Sequence, residues 1–229
     1  MRIALGIALP LNILTNHCEA FSKILQKKLF THITTDSREA CEGDLFFSLT
    51  SDKSSAEEHV KEARNKGAIS VSSLSKEADF LVFDCQKTLL KLAIYYKAQL
   101  KSLKATIAIT GSVGKTTTKE FCASFLSASY KVHKTYMNYN NLLGVSLSIL
   151  SAASDTEIFI LELGMNNLGE IRKLSDAIEP DYAVITNIGT AHIGNLGSRK
   201  LIAQAKLEIA SGMTDEKIIV PYEEQLLSS

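Results

Sequence analysis

No stretch of this 229-residue chain approaches the run of ~20 apolar residues that a membrane-crossing helix requires. Charge of either sign is not in excess, Lys+Arg 25 standing against Asp+Glu 25. That balance leaves no net field to gather nucleic acid or an anionic membrane, and neither is expected as a partner. The four cysteines (Cys18, Cys41, Cys85, Cys122) form no C-x-x-C pair. They are expected to be reduced thiols of a cytoplasmic protein. Internal repeats and low-complexity tracts are lacking. The apolar start, MRIALGIALPLNIL, is followed by no small-x-small cleavage site, so it is expected to be an amphipathic first helix ending near Pro10 rather than a secretion signal.

What is present suits a soluble protein with a core. Hydrophobic residues make up 45% and charged residues 22%, and the length allows one large domain or two modest ones. The clearest feature is ATIAITGSVGKTTTKE, Ala105 to Glu120. A β-branched apolar strand (Ala105–Thr110) runs into a glycine-bracketed loop, and a helix is expected from Lys115, with Phe121, Cys122 and Phe125 facing inward. Strand, glycine loop and Lys-Thr at a helix start make a P-loop arrangement, in the shortened form G-x-x-G-K-T, since Ile109 stands where the longer pattern has glycine. Amides of Gly111, Ser112, Val113, Gly114 and the helix start (through Thr117) suit a polyphosphate. Lys115 would reach its terminal phosphates and Thr116 the bridging magnesium. No N-K-x-D segment occurs, the only Asn-Lys being Asn65-Lys66 before Gly67-Ala68, which argues against a guanine-reading site.

Around this stretch, strand-like and helix-like segments alternate. A small α/β unit is expected from short strands at His32–Thr35, Leu45–Leu49, Ala68–Val71 and Phe80–Phe83, with a polar helical stretch over 15–31 and a helix at Ser54–Lys66. A helix over Leu89–Leu103 would link it to the P-loop strand. Further strands are expected at Lys131–Lys134, Glu157–Leu163, Tyr182–Thr186 and Lys217–Val220, and helices at Asn141–Leu150, Glu170–Ala177 and Ser198–Met213. This predicts a parallel sheet covered on both faces, with domains at 1–84 and 85–229. Ligands of such sheets gather beyond the strands' carboxyl ends, which brings Lys115, Thr116, Glu162, Asn187 and His192 to one edge. Glu162 lies in the apolar strand EIFILEL, where magnesium or a nearby lysine would compensate it. His192 suits a metal ligand, a phosphate donor or a plain loop residue. Asn138, Asn140 and Asn141, in MNYNNLLG, suit turns and a helix cap.

TTDSREACEGDLFFSL, TGSVGKTTTKE, NYNNLLGVSLSIL, ELGMNNLGEI and ITNIGTAHIGNLGSRKLIAQAKLEI resemble, in order and spacing, the Mur ligases of peptidoglycan synthesis. The N-x-N-N segment and the G-E-I turn look most like the members that add D-alanyl-D-alanine to UDP-N-acetylmuramoyl-tripeptide (UDP-MurNAc-tripeptide). Nearest to those come the members that add the third amino acid. The resemblance implies ATP and Mg2+, with phosphorylation of the substrate's terminal carboxylate and attack of the amine on the acyl phosphate. It places Thr116 and Glu162 at a first magnesium site and His192 at a second. Lys206 falls where family members carry a lysine carbamate; alone, it reads as a helix lysine. The resemblance puts Ser37 and Arg38 in the D-S-R segment of a UDP-sugar-binding domain, with Asn138 and Asn141 as further substrate contacts.

The sequence also departs from the family. TSDKSSAEEH stands where a glycine-rich turn is usual, Met137 replaces a glycine, Ser146 a proline and Gly194 an acidic residue. The family's C-terminal domain has no counterpart within these residues. The chain is therefore expected to be a fragment or half of a split enzyme, with a separate chain as a possible source of that domain, or a nucleotide-binding module without catalysis.

Overall fold

The computed structural model describes residues 1–10, 14, 29–191, 193–215 and 217–227. The chain forms two compact units, one of Met1–Gln99 with Leu150–Ala153, the other of Leu100–Ile149 with Ser154–Ser229.

The first unit is built on a sheet in the order β1-β2-β3-β4-β5: Arg2–Pro10, Leu29–Thr34, Leu45–Phe47, Ile69–Ser72 and Phe80–Leu81. β1 and β2 are antiparallel and the other pairs parallel. β1 replaces the expected first helix. Its apolar residues surround any helical axis that could be drawn, leaving no polar face, and Gly6 and Pro10 both disfavour a helix interior. As a strand the segment buries Ile3 and Leu9 against β2, and Arg2 forks onto Asp44 at 2.7 and 3.0 Å. The helical pattern expected over 15–31 lies outside the described residues as far as position 28, and Leu29–Thr31 already belong to β2.

Two helices complete the unit. α1 (Lys53–Asn65) is capped by Asp52, whose carboxylate accepts from the Ser55 amide. It buries Ala56, Val60 and Ala63 as the i, i+4, i+7 spacing predicts. α2 (Cys85–Gln99) buries Leu89, Leu92, Ala93 and Tyr96. The domain boundary expected at 84/85 moves to 99/100, because this apolar face belongs to the first unit; the Tyr96 hydroxyl bonds the Gly6 amide and the Ala152 carbonyl.

The second unit is a parallel sheet in the order β10-β9-β6-β8-β7: Ile218–Ile219, Tyr182–Ile185, Ala105–Thr110, Ile158–Glu162 and Val132–Lys134. Its helices are α3 (Lys115–Leu126), α4 (Leu142–Leu150), α5 (Glu170–Ile178), α6 (Ile193–Leu196) and α7 (Arg199–Leu207). The inward face of α3 differs from expectation. Ala123 and the aliphatic parts of Cys122 and Leu126 pack on Ile109, Ile158 and Ile160, whereas Phe121 and Phe125 are 72% and 82% exposed. Lys119, not a phenylalanine, is the large side chain that α3 buries.

The expected helix Ser198–Met213 ends earlier, at Leu207, and tightens into a 3-10 turn over Glu208–Ala210. The cause is tertiary. Both Glu208 carboxylate oxygens accept from the Gly169 amide (2.7 and 2.9 Å) at the start of α5, and the Ser175 hydroxyl donates to the Ile209 carbonyl. The Ile209 carbonyl thereby bonds a side chain instead of the helical ladder. Among the described residues no helix is long and apolar enough to cross a membrane.

Candidate functional site

The register of the second sheet assembles the site. Ile109 on β6 lies opposite Glu162 on β8, and Thr110 opposite Ile185 on β9, so the three segments that leave these strands emerge side by side. After β6 comes the loop Gly111–Gly114. Gly111 has φ 153° and Gly114 φ 81°, left-handed values that favour glycine. A Cβ on Gly111 would collide with Thr186 Oγ1, which donates to the Val113 carbonyl at 2.6 Å. Gly114 then starts α3.

Asn187, two residues past β9, is bound to that loop. Its Oδ1 accepts from the Ser112 and Val113 amides at 3.0 and 2.9 Å, and its backbone carbonyl also accepts from Ser112. The Ser112 hydroxyl answers by accepting from the Gly189 amide at 2.9 Å. The loop is therefore braced, and two of the amides expected to face an anion face the Asn187 side chain here.

Lys115 is half-buried. Its Nζ donates to the Gly111 carbonyl at 2.8 Å, with the Ser112 carbonyl at 3.5 Å, and burial lowers its pKa while Glu162 works in the opposite direction. Thr116 is one residue on, and its hydroxyl donates to Glu162 Oε2 at 2.9 Å. Thr117 is exposed at the same helix start.

Glu162 is 1% exposed. Besides Thr116 it accepts from Asn140 Nδ2, through Oε1 at 2.9 Å, and Lys119 Nζ lies 3.6 Å from Oε2. The lysine partner weighed from the sequence thus exists, but beyond charge-assisted hydrogen-bond distance. A hydroxyl and a buried, incompletely neutralised carboxylate, both oxygen donors beside the loop, form a donor set that fits magnesium shared with phosphate oxygens and water. Among the described residues there is no cluster of three or more His, Cys, Asp or Glu that could hold a metal. His192 lies outside the described residues.

Lys206 comes from α7 and is 2% exposed, so it is no solvated helix lysine. Burial first, and then the charge of Lys115, lower its pKa to about 8. The two lysines share the wall of a cavity of about 150 Å³ with Asn140, Asn141, Asn166 and Glu170. Asn141 also caps α4, its Oδ1 accepting from the Gly144 amide at 2.8 Å. Asn138 is exposed, and its carbonyl accepts from the Asn140 amide.

In the first unit, the Asp36 carboxylate accepts from the Arg38 amide and is forked by its guanidinium at 2.9 and 2.7 Å, which holds its pKa far below the usual range. Ser37 is buried and donates to Glu62, while Lys66 bonds the Ser37 and Arg38 carbonyls. The Arg38 side chain itself is exposed.

Sequence reasoning named Asn140 without assigning it a role at the site, and it missed Lys119, Asn166 and Glu170. For Lys119 a signal existed: three residues after Thr116, it must share that residue's helix face.

A parallel α/β domain with a glycine loop between its central strand and a helix, and polar residues gathered at the strand ends, is a P-loop domain. Residues 109–227 match the Mur ligase middle domain. A UDP-N-acetylmuramoyl-tripeptide--D-alanyl-D-alanine ligase of Bacillus subtilis is 38% identical over 195 residues, covering 82% of this chain and 42% of that protein. The crystal structure of MurF from Acinetobacter baumannii matches with a TM-score of 0.87 at 32% identity, over 99% of this chain and 51% of that one. MurF ligase from Thermotoga maritima in complex with ADP matches at 0.75 and 31%, over 83% of this chain and 45% of that one. The chain belongs to the Mur ligase family, and it spans about half the length of the relatives it matches.

Proposed function

We propose that this chain supplies the ATP-binding and carboxylate-activating part of a ligase that adds D-alanyl-D-alanine to UDP-MurNAc-tripeptide. The observation that carries the reading is the convergence of Lys115, Thr116, Glu162 and Lys206 beyond β6, β8 and the start of α3, in a chain similar to MurF over nearly all its described length.

The residues suit the chemistry. In-line phosphoryl transfer from ATP to the tripeptide's terminal carboxylate needs stabilisation of charge on the moving group. Lys115 leaves the Gly111 carbonyl to meet the terminal phosphates, and the braced loop holds its backbone in place for them. Thr116 and Glu162 would hold magnesium, which when bound supplies neutralisation of the phosphate charge. The lowered pKa of Lys206 leaves part of it as free amine near neutral pH, the form that adds to carbon dioxide and gives up a proton to become a carbamate. That turns a cation repelled by Lys115 into an anionic oxygen donor. Asn138 and Asn141 are assigned to the tripeptide, and Ser37 and Arg38 of the first unit to the UDP-sugar. The attacking amine belongs to elements in the other half of the family's length, in the same polypeptide or a separate chain. A cytoplasmic location follows from the nucleotide and the UDP-linked substrate.

Calorimetry of the chain with ATP and magnesium is the first test, and binding is expected. Mass spectrometry then follows conversion of UDP-MurNAc-tripeptide and D-Ala-D-Ala to the pentapeptide by the chain joined to the C-terminal half of the Bacillus subtilis relative. A folded chain that binds neither ATP nor UDP-MurNAc-tripeptide overturns the reading.

A further inference from the structure

Lys119 is 0% exposed, yet a lysine ammonium in an interior is tolerated only where its charge is matched and its protons are bonded. Its surroundings are specific. Nζ donates to the Met137 carbonyl and lies 3.6 Å from both Glu162 Oε2 and Glu120 Oε1. Glu120 is half-exposed and already bonded by Lys134, so the buried carboxylate of Glu162 is the anion whose charge Lys119 chiefly meets.

The other contact is equally informative. Met137 has φ 47°, one of two non-glycine residues with positive φ among those described. Such a backbone costs energy for a residue with a Cβ and persists where its surroundings hold it. The carbonyl it presents to Lys119 begins the turn that carries Asn140. Asn140 in turn bonds Glu162 Oε1 through its side chain and the Gly164 amide through its carbonyl. One ammonium therefore touches both supports of Glu162, its charge and the loop that fixes its second oxygen.

We propose that Lys119 is a positioning residue for magnesium-dependent nucleotide binding: it holds the Glu162 carboxylate in place beside the Thr116 hydroxyl before the nucleotide arrives. The proposal rests on the ATP reading above and adds a residue to it. Lys119 acts through Glu162 and through the Met137–Asn140 turn.

The test compares ATP affinity with magnesium and with EDTA, in the wild-type chain, Lys119→Met, Glu162→Gln and the double variant. Magnesium is expected to tighten wild-type binding by about tenfold or more, and Lys119→Met to reduce that gain to about twofold while leaving the affinity in EDTA unchanged, as expected for a lost charge partner rather than a damaged loop. The double variant should match Glu162→Gln alone. A folded Lys119→Met that keeps the wild-type magnesium gain, or that loses affinity equally with and without magnesium, overturns the assignment. Should Lys119→Met not fold, the double variant decides. Removing both charges leaves no uncompensated carboxylate, so recovered folding supports the pairing, and a double variant that also fails to fold overturns it. A wild-type chain with no ATP affinity at all fails the nucleotide reading itself, and the proposal with it. A wild-type magnesium gain that Lys119→Met shares fails the Lys119 assignment alone.

Discussion

The carboxamide oxygen of Asn187 lies 3.0 and 2.9 Å from the amide nitrogens of Ser112 and Val113, so a side chain from beyond β9 holds the loop that follows β6. A glycine-bracketed loop has a large conformational entropy to lose, and a brace from a neighbouring strand fixes it before any ligand binds. Asn187→Ala leaves two loop amides without that acceptor. The expected result is a loss of about 1–3 kcal/mol in stability, with weaker ATP binding. Asn187→Asp keeps an acceptor at the same place but sets a carboxylate beside the phosphates. It should retain stability in denaturant titration and still lose ATP affinity in calorimetry. Equal ATP affinity for all three proteins would show that the brace is irrelevant to the ligand.

Lys115→Ala removes a half-buried ammonium whose present partners are loop carbonyls, Gly111 foremost. Little folding energy is at stake, because an ammonium already disfavoured by burial is lost with its hydrogen bonds. Affinity for ATP should fall by about a hundredfold, the scale of a lost charge-assisted contact to phosphate. Unchanged affinity in a variant with the wild-type circular dichroism spectrum would remove the P-loop reading.

Much of this arrangement was legible in the sequence, for identifiable reasons. β6 and the start of α3 were readable to the residue because a β-branched run, two glycines and Lys-Thr each act locally. Glu162 stood out because a carboxylate in EIFILEL must find a partner. The first strand was misread because the apolar run Ile3–Pro10, without a polar face, fits several structures, and only pairing with β2 decides among them. The inward face of α3 was misjudged because hydrophobicity pointed to Phe121 and Phe125, whereas the burial of Lys119 depends on Met137 and Glu162, which come from distant segments. The early end of α7 depends likewise on Glu208 meeting the amide of Gly169, 39 residues away.

The outward direction of Phe121 and Phe125 has a direct consequence for stability. Phe121→Glu and Phe125→Glu should each change unfolding free energy by no more than about 0.5 kcal/mol, as substitutions on solvated helix faces do. Ala123, on the opposite face against Ile109 and Ile160, has no room to grow. Ala123→Phe should cost about 1–3 kcal/mol by overpacking. Urea denaturation of the three variants checks the helix's orientation, and the reverse ranking would place the phenylalanines inside.

The buried Lys206 links stability to pH. Its pKa falls to about 8 in the folded protein, against 10.5 for a free lysine, first because burial disfavours the charged amine and then because Lys115 repels it. Between these values the unfolded chain binds more protons than the folded one, so stability should rise as pH increases from about 8 towards 10.5 and lie lowest below that window. Lys206→Met, of similar length and without charge, should abolish this rise and be the more stable protein at pH 7. The measurement is urea denaturation at pH 7, 8.5 and 10 in carbonate-free buffer. Bicarbonate provides the second arm. If the free amine captures carbon dioxide, labelled bicarbonate near pH 8 should give one slowly exchanging carbamate resonance in carbon NMR, absent from Lys206→Met, and should raise the wild-type midpoint at that pH. A pH profile identical in wild type and Lys206→Met would mean that this amine is not titrating inside the protein, and the carbamate assignment would lose its chemical basis.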